Sequence, residues 1–540
     1  MSRRSIILAI ALLCLLVAPA SAPAAGDLEG AKIDASVQLA VDVTGGDEAV
    51  PVLVYAPGEV TAVGKALPQG VDATPLPLID ALAVYLTPDE IERLAGEDFV
   101  RAIVADNPMY AVDYRSSMDV TNLTIGLADV PVPAAGGPSG DGVTVAILDS
   151  GVSAEQDLGQ DRIVGWKDFV KGKKKPYDDA GHGTFVAGLI AGDGSASLPL
   201  EDGGIATMQY RGVAPAADVV GIKVLDEFGQ GRASTVIAGI AWAIAHKDDY
   251  DIRVLNVSVG GNPVGPAAED PVALAVEAAW RHGIVVVCAA GNEGEFGLGG
   301  VISPGNDPYV ITVGADDTKQ TGTVADDTVA AYSSRGPTLY DEYAKPDLVA
   351  PGNRVVSLRV KSSYIDRTFP ENLIPVASYA PAARPSQKPA YLMLSGTSTS
   401  VPVVAGAVAL MLEKDPTLDP DDVKVRLMET ADPLSGATSH EQGAGLLDVD
   451  GALAATSYSA GAALSADLGD GTTVLGPDAV ENWTKYAWTK YAWTKYKWTK
   501  YKWTKYAWTK YKWTKYAWTK YAWTKYAWTK YAWTILAEGQ

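Results

Sequence analysis

From Gly142 onward the chain alternates short apolar runs with stretches of helical character. The runs are Val143–Leu148, Val219–Val224, Val254–Val259, Ile284–Ala289 and Val310–Val313. They are largely continuous rather than alternating, which predicts strands buried on both faces and hence a parallel sheet with helices on each side. Helices are predicted at Thr184–Ala191, Thr235–His246, Pro271–His282 and Ser400–Leu412. Groups that bind or react on such sheets gather at the carboxyl ends of the strands.

Upstream, between Pro51 and Tyr110, apolar stretches at Val52–Tyr55, Ala81–Leu86 and Val100–Val104 surround Thr87-Pro88-Asp89-Glu90. Thr at the N-cap, Pro at the first helical position and acids in the first turn predict a short helix there, and the whole a small α+β module. The stretch Lys361–Pro389, rich in Pro, Ser and Tyr, reads as an inserted loop, and a Gly-, Ala-, Ser- and Asp-rich linker is expected from about Thr456 to Asp478.

The two ends of the chain read differently. Met1-Ser2-Arg3-Arg4, the apolar run Ile6–Ala18 and Pro19-Ala20-Ser21-Ala22 are the charged, apolar and small-residue zones of a secretory signal peptide over 1–22. The apolar run is short for a membrane span, the alternative being an uncleaved anchor. Cys14 lies inside that run, which leaves Cys288 as the single cysteine of a processed chain, with no internal disulfide and the setting of a buried strand. From Trp483 the unit Trp-Thr-Lys-Tyr-Ala/Lys recurs every five residues. A step of five turns a helix by about 140° net, so no apolar stripe forms, whereas Trp, Thr and Tyr favour extended backbone. Three readings stay open for this tail: a disordered low-complexity segment, an adhesive module, and a β-solenoid.

Charge separates the same two polymers. The formal net charge is −21, yet residues 481–540 carry 13 Lys against two acids. The body of the chain is therefore strongly acidic, which argues against a nucleic-acid-binding face. The cationic aromatic tail suits an anionic polysaccharide, a cell wall or a membrane surface.

Few residues can carry chemistry. The four histidines are His182, His246, His282 and His440; none pairs at helical spacing with another, and no Cys pair exists, so a zinc site is not indicated. His246 and His282 follow predicted helices, where a His favours the dipole. His182 lies between two glycines just before an apolar helix. Asp149 ends an apolar strand, Asn292 follows another, and Ser398 precedes a long apolar helix. Taken singly, these are an ordinary turn Asp, a turn Asn and an N-cap Ser.

Taken in order they resemble the subtilase family of serine peptidases. The matching stretches are Val145-Ala146-Ile147-Leu148-Asp149-Ser150-Gly151, Gly181-His182-Gly183-Thr184, Ala289-Ala290-Gly291-Asn292 and Gly396-Thr397-Ser398-Thr399-Ser400-Val401-Pro402, with support from Ser334-Arg335-Gly336-Pro337 and Lys345-Pro346-Asp347. The resemblance covers roughly Gly142 to Ala454. It implies an α/β fold, a three-layer parallel-sheet catalytic domain over 116–455, and hydrolysis of peptide bonds by Ser398, His182 and Asp149, with Asn292 donating to the oxyanion. Two edge segments, Gly229-Gln230-Gly231 and Ser258-Val259-Gly260, would pair with substrate as an added strand. Thr399-Ser400 departs from the Met-Ala that many members carry.

The resemblance also implies an inhibitory propeptide over 23–115 (core about 51–110), cut between Tyr110 and Thr121. The remaining parts are a linker over 456–480 and the repeat tail over 481–540. No cofactor is needed for the chemistry; structural calcium is an expectation, with Asp157 as candidate ligand. The expected partners are protein or peptide substrates and the chain's own propeptide, with no specific nucleic acid, on a monomeric, secreted or cell-surface protein. The rival readings are a surface-binding protein with an inert peptidase fold, which would normally have lost one of the four residues, and an acid-active relative with a carboxyl base.

Overall fold

The computed structural model describes residues 32–34, 37, 49–111 except 69, 137–197, 210–380 except 264, 322 and 323, and 387–465. The predicted signal peptide, the expected cut region beyond residue 111 and the repeat tail lie outside the described residues.

The N-terminal module is a four-stranded antiparallel sheet built from β1 (Val50–Tyr55), β2 (Ala73–Leu76), β3 (Ala81–Leu86) and β4 (Ala102–Ala105), in the order β2-β3-β1-β4. Two helices, α1 (Val60–Ala66) and α2 (Pro88–Ala95), belong to it. The start of α2 is as predicted: Thr87 Oγ1 accepts from the N–H of Glu90, whose carboxylate accepts from the N–H of Thr87 (2.8 Å). Val52, Val54, Ile91 and Leu94 form the module's own core. Leu53, Leu76 and Ala81 instead join the core of the large domain, so the sheet is covered on both faces. A further strand, β5 (Pro108–Ala111), leaves the module altogether.

The large domain is organised by an eight-stranded sheet of β6 (Thr144–Asp149), β7 (Ile163–Asp168), β8 (Asp218–Lys223), β10 (Ile252–Val257), β12 (Val285–Ala289), β13 (Ile311–Asp317), β14 (Thr328–Val329) and β15 (Leu348–Pro351). Its path is β14-β13-β12-β10-β6-β8-β7 with β15 on β13, and every pair is parallel except β13–β14. Strand order runs one way from β6 to β8 and the other way to β10, which makes the carboxyl end of β6 a topological switch point. All six residues of β6 are buried, as continuous apolar composition requires.

The helices that matter for the site are α3 (His182–Ala191), α4 (Ala233–Ala245), α5 (Pro271–Arg281) and α6 (Thr397–Lys414). Helix α6 is buried along most of its length and packs on α3 and on β10, β12 and β13. It begins earlier than its apolar residues suggest, since Thr397, Ser398, Thr399 and Ser400 form a fully buried first turn. His246 and His282 cap α4 and α5, each with Nδ1 on the carbonyl four residues back (2.9 and 2.7 Å).

Two stretches differ from their predicted character. The inserted segment after Lys361 contains short helices at Tyr364–Thr368 and Val376–Tyr379. The described part of the predicted linker is docked: Arg426 donates to the Ser457 carbonyl (2.8 Å), Asp422 and Asp421 accept from the N–H groups of Ser459 (2.8 Å) and Ala463 (2.9 Å), and Ser465 is buried.

Candidate active site

Asp149 is the last residue of β6, at the switch point, and His182 opens α3 directly above it. Both side chains are fully buried, and His182 Nδ1 lies 2.9 Å from each Asp149 carboxylate oxygen. The local sequence explains the approach. Gly181 holds φ 96°, and a Cβ on Gly183 would strike the Gly151 carbonyl, so only glycines let the helix start settle onto the Asp149 loop. Burial alone would push the imidazolium pKa down; the charge and hydrogen bond of Asp149, with the charge of Asp178, outweigh it and raise His182 above its ordinary value.

Asp178 was not singled out by the sequence, although it stands four residues before His182. One of its oxygens accepts from Ser150 Oγ (2.9 Å) and the N–H of Gly181 (2.8 Å), the other from Thr184 N–H and Oγ1 (both 2.8 Å). Ser150 Oγ in turn accepts from the N–H of Gly183 (3.0 Å). These bonds lock the loop after Asp149 to the first turn of α3. Full burial raises the Asp178 pKa, an effect opposed by the Lys223 charge and by the bonds from Gly181 and Thr184. Lys223 is itself buried and donates to the Ser150 carbonyl and to Asp179 (2.7 Å).

Ser398 is the second residue of α6, not its cap; the cap position is Gly396. That removes the ordinary N-cap reading, and its hydroxyl has no hydrogen-bond partner among the described residues. Asn292 and Ser258 are both tied to this turn. Asn292 Oδ1 accepts from Thr397 N–H (2.9 Å) and Oγ1 (3.1 Å), which fixes which end of the amide is the oxygen. Ser258 Oγ donates to the Ser398 carbonyl (3.1 Å) and accepts from Asn256 Nδ2 (3.0 Å). The packing of α3 on α6 brings the His182 and Ser398 helices together over the inner strands of the sheet.

The two predicted edge segments also meet, around an occupant. Strand β5 lies between β9 (Gln230–Arg232) and β11 (Val259–Gly260), antiparallel to both. Met109 stands opposite Gly231, Tyr110 opposite Gln230 and Gly260, and Ala111 opposite Val259. The N-terminal module holds its own strand there, fixed from behind by Asp106, whose carboxylate accepts from Ser234 N–H (2.9 Å) and Oγ (2.8 Å) at the start of α4.

Asp157 does not fit a calcium site as the residues stand. One oxygen accepts from Tyr391 OH (2.5 Å) and the other from the N–H of Ala196 (2.6 Å), so donors surround it where a cation needs converging oxygens. Burial raises its pKa, against the bonds from Tyr391 and Ala196. Among the described residues no group of three or more His, Cys, Asp or Glu side chains is arranged to hold a metal. Cys288 is buried in β12, as expected of a core thiol, and burial pushes its pKa up.

A helix-covered parallel sheet with Asp at a strand end, and His and Ser each in the first turn of a helix, is the architecture of a class of serine peptidases. The chain belongs to the subtilase family, whose family model matches residues 140–445. It is 40% identical over 317 residues to serine protease AprX of Bacillus subtilis, a match covering 58% of this chain and 66% of AprX, just under two thirds of that protein's length. It is 33% identical over 379 residues to subtilisin E of Bacillus subtilis, covering 69% of this chain and 81% of the relative. Among solved structures it is similar to fervidolysin from Fervidobacterium pennivorans, a keratinolytic enzyme related to subtilisin, with TM-score 0.58 and 25% identity over 76% of this chain and 62% of that one. The subtilisin-like parallel-sheet fold expected from the sequence is thereby established.

Proposed function

We propose that the chain is a secreted serine endopeptidase, made as a zymogen whose N-terminal module blocks the site until it is cut away. The observation that carries the catalytic part is the buried Asp149–His182 pair, with the helix that His182 opens packed against the one whose first turn holds Ser398.

In the proposed reaction His182 Nε2 takes the Ser398 proton as Oγ attacks the substrate carbonyl. Asp149 holds Nδ1 protonated and stabilises the imidazolium. Asn292 Nδ2 and the Ser398 N–H, in the first turn of α6, donate to the developing oxyanion; losing one such donor typically costs about 10²–10³ in kcat. His182 then protonates the leaving amine, an acyl-enzyme remains, and water hydrolyses it by the same base.

The zymogen part is supported by β5. A strand bonded on both sides presents backbone groups as an extended peptide substrate would, so the β9–β11 slot reads as the substrate channel and β5 as its temporary occupant. The cationic aromatic tail reads as an anchor for an anionic or glycan surface, and a chain ending at residue 478 should lose adhesion to cells. Ser398→Ala tests the core of the reading: full-length precursor should accumulate and casein should remain intact. Normal trimming of that variant in a host without other proteases would refute self-processing.

A further inference from the structure

The segment inserted after Lys361 is built onto the loop that carries His182. The N–H of Tyr364 donates to the Asp179 carbonyl (2.9 Å) and that of Ile365 to the Ala180 carbonyl (3.0 Å). Ile365 is buried with Phe185 and Leu189 of α3. Behind it Arg359 grips Asp366 with two bonds (2.6 and 3.1 Å) and donates to the Pro389 carbonyl (2.8 Å), a largely buried clamp that gives the segment a fixed shape.

From this position Tyr364 reaches the turn that leads into β9. Its ring meets Phe228 edge to face, with centroids 5.4 Å apart and planes at 83°. Phe228 is held at the tip of that turn because Asp226 Oδ1 accepts from its N–H (2.8 Å) and from that of Gln230 (3.0 Å). A second link spans the same gap: Lys171 Nζ binds Asp179 (2.7 Å) and Glu227 (3.4 Å). Lys171, Asp179 and Glu227 are thus paired with one another and Asp226 is bonded to backbone N–H groups, so the aromatic pair is the rim's apolar part.

The strand in the slot runs toward that rim. Pairing passes from Arg232 opposite Pro108 to Gln230 opposite Tyr110, and the last bond joins the N–H of Ala111 to the carbonyl of Gly229, the neighbour of Phe228. Phe228 nevertheless keeps 39% of its surface exposed, which leaves apolar area at the point where a bound chain arrives.

We infer that Phe228 and Tyr364 form an aromatic wall selecting apolar side chains at the substrate position whose N–H bonds the Gly229 carbonyl. This rests on the reading of the slot as the substrate channel. It makes the inserted segment a specificity element, since Tyr364 belongs to it. An aliphatic side chain gains contact with the rings, whereas a charged one gives up hydration against a surface that offers no new partner.

The test uses the mature enzyme and a peptide series that differs only at that position, with Ala, Leu or Asp. The wild type should prefer Leu to Asp by about tenfold or more in kcat/KM. Phe228→Ala, on an exposed turn, should reduce that ratio by about three- to tenfold, and Tyr364→Ala should do the same, while Tyr364→Phe keeps it because the ring rather than the hydroxyl makes the contact. A Leu/Asp ratio in Phe228→Ala equal to that of the wild type overturns the wall. A wild type that cleaves none of the three peptides overturns the endopeptidase reading beneath it, an outcome distinct from an unchanged ratio.

Discussion

The N–H of Ala111 donates to the carbonyl oxygen of Gly229 over 2.9 Å, the last rung of the strand that fills the β9–β11 slot. If that strand is an occupant awaiting release, each rung adds to the hold of the module on the enzyme. Ala111→Pro removes this donor. A net hydrogen bond contributes about 0.5–1.5 kcal/mol, so the cut module should bind about two- to tenfold more weakly. The lag between cleavage and full activity on a chromogenic peptide should shorten accordingly.

A second prediction concerns the buried carboxylate of Asp178, beside the Asp149–His182 pair. Asp178→Asn removes a negative charge that helps raise the His182 pKa. A base works only when neutral, so a lower His182 pKa keeps it neutral to more acidic pH. The acid limb of the kcat/KM profile should therefore move to lower pH. The variant should also lose about 1–3 kcal/mol of stability, because the new amide N–H groups face donors at Gly181 or Thr184 that the carboxylate accepted from. A purely structural role would lower stability and leave the limb in place.

A third concerns the far side of the domain. Asp347 is fully buried, with Lys345 Nζ at 2.7 Å, Lys424 Nζ at 3.3 Å and Ser465 Oγ at 2.7 Å. Burial would raise its pKa, but the two ammonium groups hold it below the usual carboxylate range. Lys424 is pushed by burial down to about 7, Asp347 partly opposing the shift. Asp347→Ala removes the carboxylate that both buried lysines contact, and breaking a buried pair in this way costs about 3–5 kcal/mol. Denaturant unfolding of Ser398→Ala with and without the second substitution measures it free of self-digestion.

The sequence made some of this legible and hid the rest for physical reasons. Strands β6, β10 and β12 stood out because burial on both faces leaves a run of apolar residues. Strand β7 at the sheet's edge did not, since Ile163-Val164-Gly165-Trp166-Lys167-Asp168 mixes buried and exposed positions. Asp149, His182, Asn292 and Ser398 were found as an ordered set, whereas Asp178 acts through local polar bonds that leave no periodic trace. The start of α6 was placed at Ser400 because Thr397–Thr399 look polar, yet they are buried by contacts with Gly291, Asn292 and Gly352. Composition likewise made Ser457–Ser465 read as a linker; its docking depends on Asp421 and Asp422, acids distant in sequence that alone look like helix-start residues. The arrival of β5 between β9 and β11 is long-range pairing, which residue patterns do not encode; only the family resemblance led to the expectation of a propeptide strand between these segments.

The central claim is that Ser398 is a nucleophile activated by His182. A fluorophosphonate probe reacts with such a serine and stays attached, so peptide mapping of the labelled mature protein tests the claim most directly. The account predicts one stoichiometric label on Ser398, absent from His182→Ala and Ser398→Ala. Casein hydrolysis by a protein whose Ser398 stays unlabelled, or a label that persists at full rate in His182→Ala, would contradict it.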